Sequence, residues 1–256
     1  MSAFADSILN AQAGSTHLLY AGQAGFIIKS RSGETLAIDL YLSECGERIE
    51  GHIGFKRLLP QILNPGDFVF DYIIATHPHF DHYDMDSMPL LMDNGHTELF
   101  ASVECSRFVD ETGIDINRVF YVKPDETFHA GDFTLHFTNC DHGTLAPDAV
   151  GVIIEVDNKR IMIAGDTCLR LDRKEEYLSK GDIDILIAPI NGAYGNLNED
   201  DCVELAKVLQ PRLVIPCHYG MFATHKGLPG LFMEMMANKY PQGHYTLMTM
   251  GEAMSI

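Results

Sequence analysis

Four side chains able to bind metal ions crowd into the segment Thr76-His77-Pro78-His79-Phe80-Asp81-His82. Imidazole and carboxylate groups are common ligands of divalent ions. If the chain is extended through His77 and His79, both imidazoles fall on one side and can share one ion. A following turn then directs Asp81 and His82 at a second ion. A loop that is His-rich by chance is the alternative, but free imidazoles after an apolar strand have no packing role. The spacing therefore predicts two adjacent metal ions.

Three further candidate ligands each follow an apolar strand in the second half of the chain: His142, Asp166 and His218. Strands that end at one edge of a sheet can bring such residues to a common site. A Gly-Asp-Thr turn and a lone histidine after a strand are ordinary features on their own. These three residues are therefore candidate ligands only in combination with the first motif.

Four other residues are candidates for supporting roles. Asp39, at the end of an early strand, can orient a ligating imidazole through its second ring nitrogen, or can be a simple turn residue. Tyr194 can serve as a catalytic proton donor or as a hydrogen-bond partner of the substrate, unless it is a packed loop tyrosine. His225 and Lys226 can bind an anionic group of a substrate, or form a solvated loop pair.

The pattern of apolar residues predicts the strands and helices that position these candidate residues. Strands are expected at 17–20, 25–29, 35–40, 72–75, 99–102, 118–122, 133–138, 150–156, 160–164, 183–188, 213–216 and 245–250, with a tight turn at Asp157-Asn158. Helices are expected at 86–92, 104–111, 199–209 and 228–237, and Asn198 is the predicted N-cap of the third. Hairpins come first and strands alternating with helices come later. This order favours mixed sheets covered by helices.

Composition limits the partners of the chain. Its 256 residues include 36 Asp and Glu against 18 Lys and Arg, a net charge of −18, which opposes binding to nucleic acid or anionic membranes. It has no run of 18 apolar residues and does not begin like an export signal. Six scattered cysteines favour reduced thiols. We therefore expect a single cytoplasmic domain over residues 1–256, with a small-molecule substrate, no nucleic-acid or membrane partner, and a homo-oligomer left open.

Several blocks of the sequence together resemble a known family. They are Gly22-Gln23-Ala24-Gly25-Phe26, Ile38-Asp39-Leu40-Tyr41-Leu42, the segment 76–82, Ala164-Gly165-Asp166-Thr167 and Ile215-Pro216-Cys217-His218-Tyr219-Gly220. Their order and spacing resemble the metallo-β-lactamase-fold hydrolases over nearly the whole chain, and most of all the branch that contains L-ascorbate-6-phosphate lactonase. The resemblance implies an α/β fold, an αββα sandwich of two mixed β-sheets flanked by helices.

The resemblance also implies a role for each ligand. His77, His79 and His142 would hold the first of two divalent ions, Asp81, His82 and His218 the second, and Asp166 would bridge them. Asp81 occupies a position to which a proton-shuttle role is attributed in similar lactonases, so it is also a catalytic candidate. The ligand set accepts manganese, zinc or iron, and the resemblance favours manganese, with zinc next.

The expected reaction follows from such a pair of ions. Two cations that share a carboxylate lower the pKa of a bridging water to about 7, which gives a hydroxide nucleophile at neutral pH. The leading hypothesis is a metal-dependent hydrolase that opens a lactone or related ester of a small anionic sugar acid. The alternative is a phosphodiesterase of the same fold. A metal-dependent sensor that kept the fold without activity would have lost ligands, and all seven expected ligands are present.

Overall fold

Two compact units make up the chain in the computed structural model, which describes residues 2–51 and 54–256. The first unit consists of Met1–Val122, Met221–Thr224 and Thr249–Ile256, and the second of Lys123–Gly220 and His225–Met248. Each unit contains one mixed β-sheet. A single domain over residues 1–256 stays a prediction.

The first unit is built on a seven-stranded sheet. Its strands are β1 (His17–Gly22), β2 (Gly25–Lys29), β3 (Thr35–Ile38), β4 (Tyr72–Ala75), β5 (Glu98–Ser102), β6 (Val119–Val122) and β13 (Ala253–Ser255). Its helices are α1 (Ala3–Asn10), α2 (Cys45–Glu50), α3 (Met88–Met92) and α4 (Ser106–Thr112). The strand order is β13-β1-β2-β3-β4-β5-β6. Residues of α1, α3 and α4 share a buried core with this sheet.

The pairing of these strands explains where the histidine motif lies. Strands β3 to β6 run parallel, and β2 is antiparallel to both β1 and β3, so β1, β3 and β4 end at the same edge. Nearly all residues of β1, β3 and β4 are buried. Such continuous burial is typical of strands that are covered on both faces. The polar residues that follow β1, β3 and β4 are thus neighbours.

The second unit is built on a six-stranded sheet in the order β12-β11-β10-β9-β8-β7. Its strands are β7 (Thr127–Ala130), β8 (Phe133–Asn139), β9 (Val150–Val156), β10 (Lys159–Ile163), β11 (Ile185–Pro189) and β12 (Leu213–Cys217), and its helices are α5 (Lys174–Leu178), α6 (Glu199–Leu209) and α7 (Pro229–Lys239). Side chains from all three helices belong to one buried core with the sheet. Strands β10 to β12 are parallel, whereas β7 to β10 pair antiparallel, so β8, β10 and β12 end at one edge.

Local sequence signals determine several of these boundaries. Helix α6 has the predicted bounds: the Asn198 side chain accepts from the Asp201 backbone, and the Asp201 side chain accepts from the Asn198 backbone. This capping box satisfies backbone groups that the first turn leaves without partners. Asp157 and Asn158 both have positive φ, at 49° and 64°, in the tight turn between β9 and β10. The predicted hairpin is therefore confirmed.

Other sequence predictions were wrong or incomplete. The predicted strand at 245–250 is absent, because only Tyr245 forms a bridge, to Val214. Leu247 is partly buried and Met248 is buried, both without strand pairing. Burial alone thus accounts for their apolar pattern. The structure adds β7, β13, α1, α2 and α5, which the pattern did not predict. These elements are short, and such segments carry weak periodic signals.

Mixed sheets flanked by helices confirm the expected α/β fold class. In the described part of the chain, every helix is too short or too polar to cross a lipid bilayer.

Candidate metal centre

Three of the four residues in the first cluster (His77, His79, Asp81 and His82) are buried, and all four follow the end of β4. His77 Nε2 lies 2.9 Å from His79 Nδ1. Two ligands of one zinc ion, bound at about 2.0–2.1 Å each, lie roughly 3–3.5 Å apart. His77 and His79 are therefore close enough to bind one ion together.

Asp39 and Thr76 orient two of these imidazoles. The Asp39 carboxylate accepts the Thr76 backbone N–H at 2.8 Å and the Thr76 hydroxyl at 2.7 Å, and Asp39 Oδ2 lies 2.8 Å from His82 Nδ1. Because the Thr76 hydroxyl donates to Asp39, His77 Nδ1, 3.1 Å from that oxygen, acts as the donor to it. The lone pair of each ring then resides on Nε2, as a metal ligand requires.

Asp81 is held by a residue that the sequence did not identify as functional. The side-chain amide of buried Gln23, just after β1, donates to Asp81 Oδ2 at 2.8 Å. The same oxygen lies 3.8 Å from His82 Nε2. Gln23 has a positive φ of 56°, in the block that carried the family resemblance. The block was visible in the sequence, but the contact across 58 residues was not.

Asp84 anchors the turn that follows His82. Its buried carboxylate accepts hydrogen bonds from the backbones of Leu42, Ser43, Asp86 and Ser87 and from both serine hydroxyls. Through these six hydrogen bonds, Asp84 connects residues 42–43, which follow β3, with residues 86–87, which follow the histidine motif. Sequence reasoning missed this residue, because a buried carboxylate that accepts from distant backbone groups has no local pattern.

The second cluster (His142, Asp166 and His218) lies in the second unit and is buried. These residues follow β8, β10 and β12, which end at one edge of the sheet. Asp166 Oδ1 lies 3.2 Å from His218 Nε2, and Asp166 Oδ2 lies 3.9 Å from His142 Nε2. One carboxylate thus presents a different oxygen to each of two imidazoles.

The remaining candidates of the second unit differ in position. The His225 ring is buried and stacks on the His218 ring, with centroids 4.8 Å apart and an interplanar angle of 24°. The Tyr194 and His225 ring centroids lie 5.6 Å apart. His225 therefore lies between the Tyr194 ring and the candidate ligand His218. Lys226 is exposed. The structure therefore brings Tyr194 and His225 to the second cluster.

Four residues in or beside the two clusters have a strained backbone. Gln23, Asp39, Tyr194 and His218 all have positive φ, between 48° and 64°. This region is uncommon for residues other than glycine and costs of order 1–3 kcal/mol for each residue. Such strain persists where the surrounding structure fixes a functional geometry.

The donor chemistry of both clusters fits divalent metal ions. Within each cluster, imidazole nitrogens lie close to one another or to carboxylate oxygens, an arrangement that a shared divalent cation would stabilise. All seven residues belong to His/Asp groups able to hold an ion. Imidazole with carboxylate is a ligand set for zinc, manganese or iron.

Comparison with known proteins agrees with this chemistry. The profile of the beta-lactamase superfamily domain matches residues 17–218. A UPF0173 metal-dependent hydrolase of Methanosphaera stadtmanae is 30% identical over 221 residues, which are 79% of this chain and 83% of the relative. The chain therefore belongs to the beta-lactamase superfamily and, within it, to the UPF0173 metal-dependent hydrolases.

Solved structures show the same fold. Igni18, a metallo hydrolase of Ignicoccus hospitalis, aligns with a TM-score of 0.73 at 21% identity, over 94% of this chain and 98% of its own. The metallo-β-lactamase fold protein YhfI of Bacillus subtilis aligns with a TM-score of 0.70 at 15% identity, over 94% of this chain and 100% of its own. The expected metallo-β-lactamase fold is thus confirmed.

Proposed function

We propose that the two clusters serve one dinuclear centre, which holds two divalent metal ions per chain. The observation that carries this proposal is the position of Asp166, whose two oxygens face His218 and His142 separately. A carboxylate that bridges two ions must present one oxygen to each of them. The pairs in the first cluster, His77 with His79 and Asp81 with His82, supply the matching ligands.

In this proposal His77, His79 and His142 would hold the first ion. Asp81, His82 and His218 would hold the second, and both ions would share Asp166. Manganese is the proposed metal, with zinc next, and iron is compatible with the same ligands. When bound, two such ions polarise a scissile carbonyl or phosphoryl group and make water nucleophilic at neutral pH.

The residues of the chain then have separate tasks. Asp39 keeps the His82 ring in the tautomer that binds a metal, through the 2.8 Å contact with Nδ1. Gln23 fixes one oxygen of Asp81, which carries a proton between the attacking water and the departing oxygen. The Tyr194 hydroxyl is a proton donor or a hydrogen-bond partner of the substrate, and His225 and Lys226 bind its anionic group.

The proposed reaction is the opening of a lactone or a related ester of a small anionic sugar acid. The sequence blocks that resemble the L-ascorbate-6-phosphate lactonase branch support this substrate class. We place the activity in the cytoplasm, where six cysteines outside any disulfide match a reducing environment. The proposed partner is a small molecule, not nucleic acid or membrane, because the net charge is −18.

Two substrate panels test the proposed reaction. Protein loaded with manganese or zinc is assayed on sugar-acid and simple lactones, and in parallel on phosphodiesters. Lactone turnover with little phosphodiester turnover is the expected result. The reverse preference would replace the lactonase with a phosphodiesterase of the same fold, and no turnover on either panel would refute both.

Ligand variants test the assigned site on the same panels. His79→Ala should lose most bound metal and nearly all turnover, and Asp166→Ala should lose turnover equally, because two cations then repel each other without a shared anion. His129→Ala and Asp132→Ala, at exposed positions, are the matched controls. Two retained metals in His79→Ala would contradict the assignment.

A further inference from the structure

A pocket of about 290 Å³ lies beside His142 in the second unit. It is lined by residues 141–145 together with Cys168, Tyr194 and Gly195. Two large apolar side chains of this lining are solvent-exposed, Leu145 at 54% and Tyr194 at 44%. A single exposed leucine needs no explanation, but two such side chains in one concave surface next to a candidate metal ligand indicate a binding site.

The charge of the lining selects what the pocket accepts. Among the described residues that line it, Asp141 is the one carboxylate, and neither lysine nor arginine is present. Arg170 forms an ion pair with Asp141, so the charge of this carboxylate is already neutralised by a protein side chain. The lining thus offers neither an ammonium nor a guanidinium group to an anionic substituent. An uncharged, largely apolar group is the better match.

The Tyr194 ring is well placed to act as a fixed wall. It packs against His225, which itself stacks on His218. Tyr194 and Gly195 both have positive φ, at 56° and 87°, within a turn where the Asn196 N–H donates to the Ala193 carbonyl at 3.0 Å. The next residue, Leu197, donates its N–H to the Thr167 carbonyl at 2.8 Å, beside Asp166. These contacts connect the wall of the pocket to the second cluster.

We propose that this pocket binds the uncharged ring of the substrate, against the Tyr194 ring and the Leu145 side chain. This inference rests on the proposed function and adds to it. The C–H faces of a saturated lactone ring are apolar, and the face of an aromatic side chain is a suitable surface for them. The anionic group of the substrate then lies outside the pocket. Tyr194 and Leu145 are therefore specificity-determining residues. The Tyr194 ring makes the contact with the substrate ring, which leaves its hydroxyl available for the role proposed above.

Binding of an unreactive ring tests the pocket without relying on turnover. The probe is δ-valerolactam, the amide analogue of a six-membered lactone, titrated into metal-loaded protein by ligand-observed NMR. Tyr194→Ala and Leu145→Asp should each raise Kd at least fivefold. Tyr194→Phe, which keeps the ring, should stay within twofold of the unaltered protein. Leu231→Asp, an exposed leucine of α7 outside this lining, is the matched control.

Hydrolysis of δ-valerolactone by the same preparations distinguishes failure of the pocket assignment from failure of the proposed reaction. If no lactone is hydrolysed but lactam binding weakens in Tyr194→Ala and Leu145→Asp, the pocket assignment stands and the proposed reaction fails. If lactone is hydrolysed while both variants bind lactam like the unaltered protein, the pocket assignment is overturned and the reaction stands. No lactam binding by the unaltered protein also overturns the pocket, and a fivefold weaker Kd in Tyr194→Phe would assign the role to the hydroxyl instead.

Discussion

Asp39 Oδ2 lies 2.8 Å from His82 Nδ1, on the side of the ring away from Nε2. Asp39 is therefore positioned to orient the His82 ring and is not itself a candidate ligand. Asp39→Asn should weaken metal affinity by roughly 10- to 100-fold, because the amide no longer fixes the tautomer of His82. Chelator competition on the purified variant measures this affinity, with Asp132→Asn as the control. Unchanged affinity would mean that the contact is only structural.

Asp81 combines two proposed roles, metal ligand and proton carrier. Asp81→Asn keeps one oxygen for a metal but cannot exchange a proton as a carboxylate does. We expect at least one metal retained and turnover reduced by roughly 10² to 10⁴. Metal content and lactone hydrolysis are measured on one preparation. Near-normal turnover would remove the proton-transfer role, whereas complete loss of metal would establish Asp81 as a ligand without testing its other role.

Asp84 should be a major contributor to the stability of the first unit. Asp84→Ala removes the acceptor of six hydrogen bonds, three of them buried and three partly buried. Several buried donors are then left without a partner, so the free energy of unfolding should fall by about 3 kcal/mol or more. Urea unfolding of Asp84→Ala and of the exposed control Asp93→Ala measures the difference. A change within about 0.5 kcal/mol for Asp84→Ala would contradict the network.

Asp71 provides a pH-dependent test away from the metal ligands. Burial raises the pKa of the Asp71 carboxyl, but hydrogen bonds from His96 and from the Thr35 backbone and hydroxyl outweigh it, and the pKa is lowered. The stabilisation is thus present above the unfolded-state pKa of about 3.9 and is lost as pH falls through the folded-state value.

Asp71→Asn should therefore cost about 1–2 kcal/mol of unfolding free energy at pH 5, and this cost should shrink as the pH is lowered towards 3. Urea unfolding of both proteins across this range gives the difference directly. A cost that is constant with pH, or that grows as pH falls, would show that the folded-state pKa is not depressed.

Local spacing in the sequence was enough to predict the central elements of the fold. The strands Gly25–Lys29, Tyr72–Ala75 and Val150–Val156 have their predicted bounds. Each is a short apolar run between clear turn signals, which is the pattern that identifies a buried strand. The candidate ligands were visible for a related reason, because each directly follows such a run.

Long-range contacts account for what the sequence did not reveal. Gln23 and Asp84 support the first cluster through hydrogen bonds to residues up to 58 positions away. No local periodicity records such a contact. The pocket beside His142 is likewise formed by three separate segments of the second unit: residues 141–145, Cys168, and the turn at Tyr194.

Metal stoichiometry tests the central claim most directly. Protein purified without added metal is analysed by elemental analysis, and lactone hydrolysis is measured before chelation, after chelation, and after manganese or zinc is restored. The dinuclear centre predicts up to two divalent ions per chain, loss of hydrolysis with the metal, and recovery when two equivalents are bound. Full hydrolysis by protein that contains no metal, or saturation at a single ion with full activity, would contradict it.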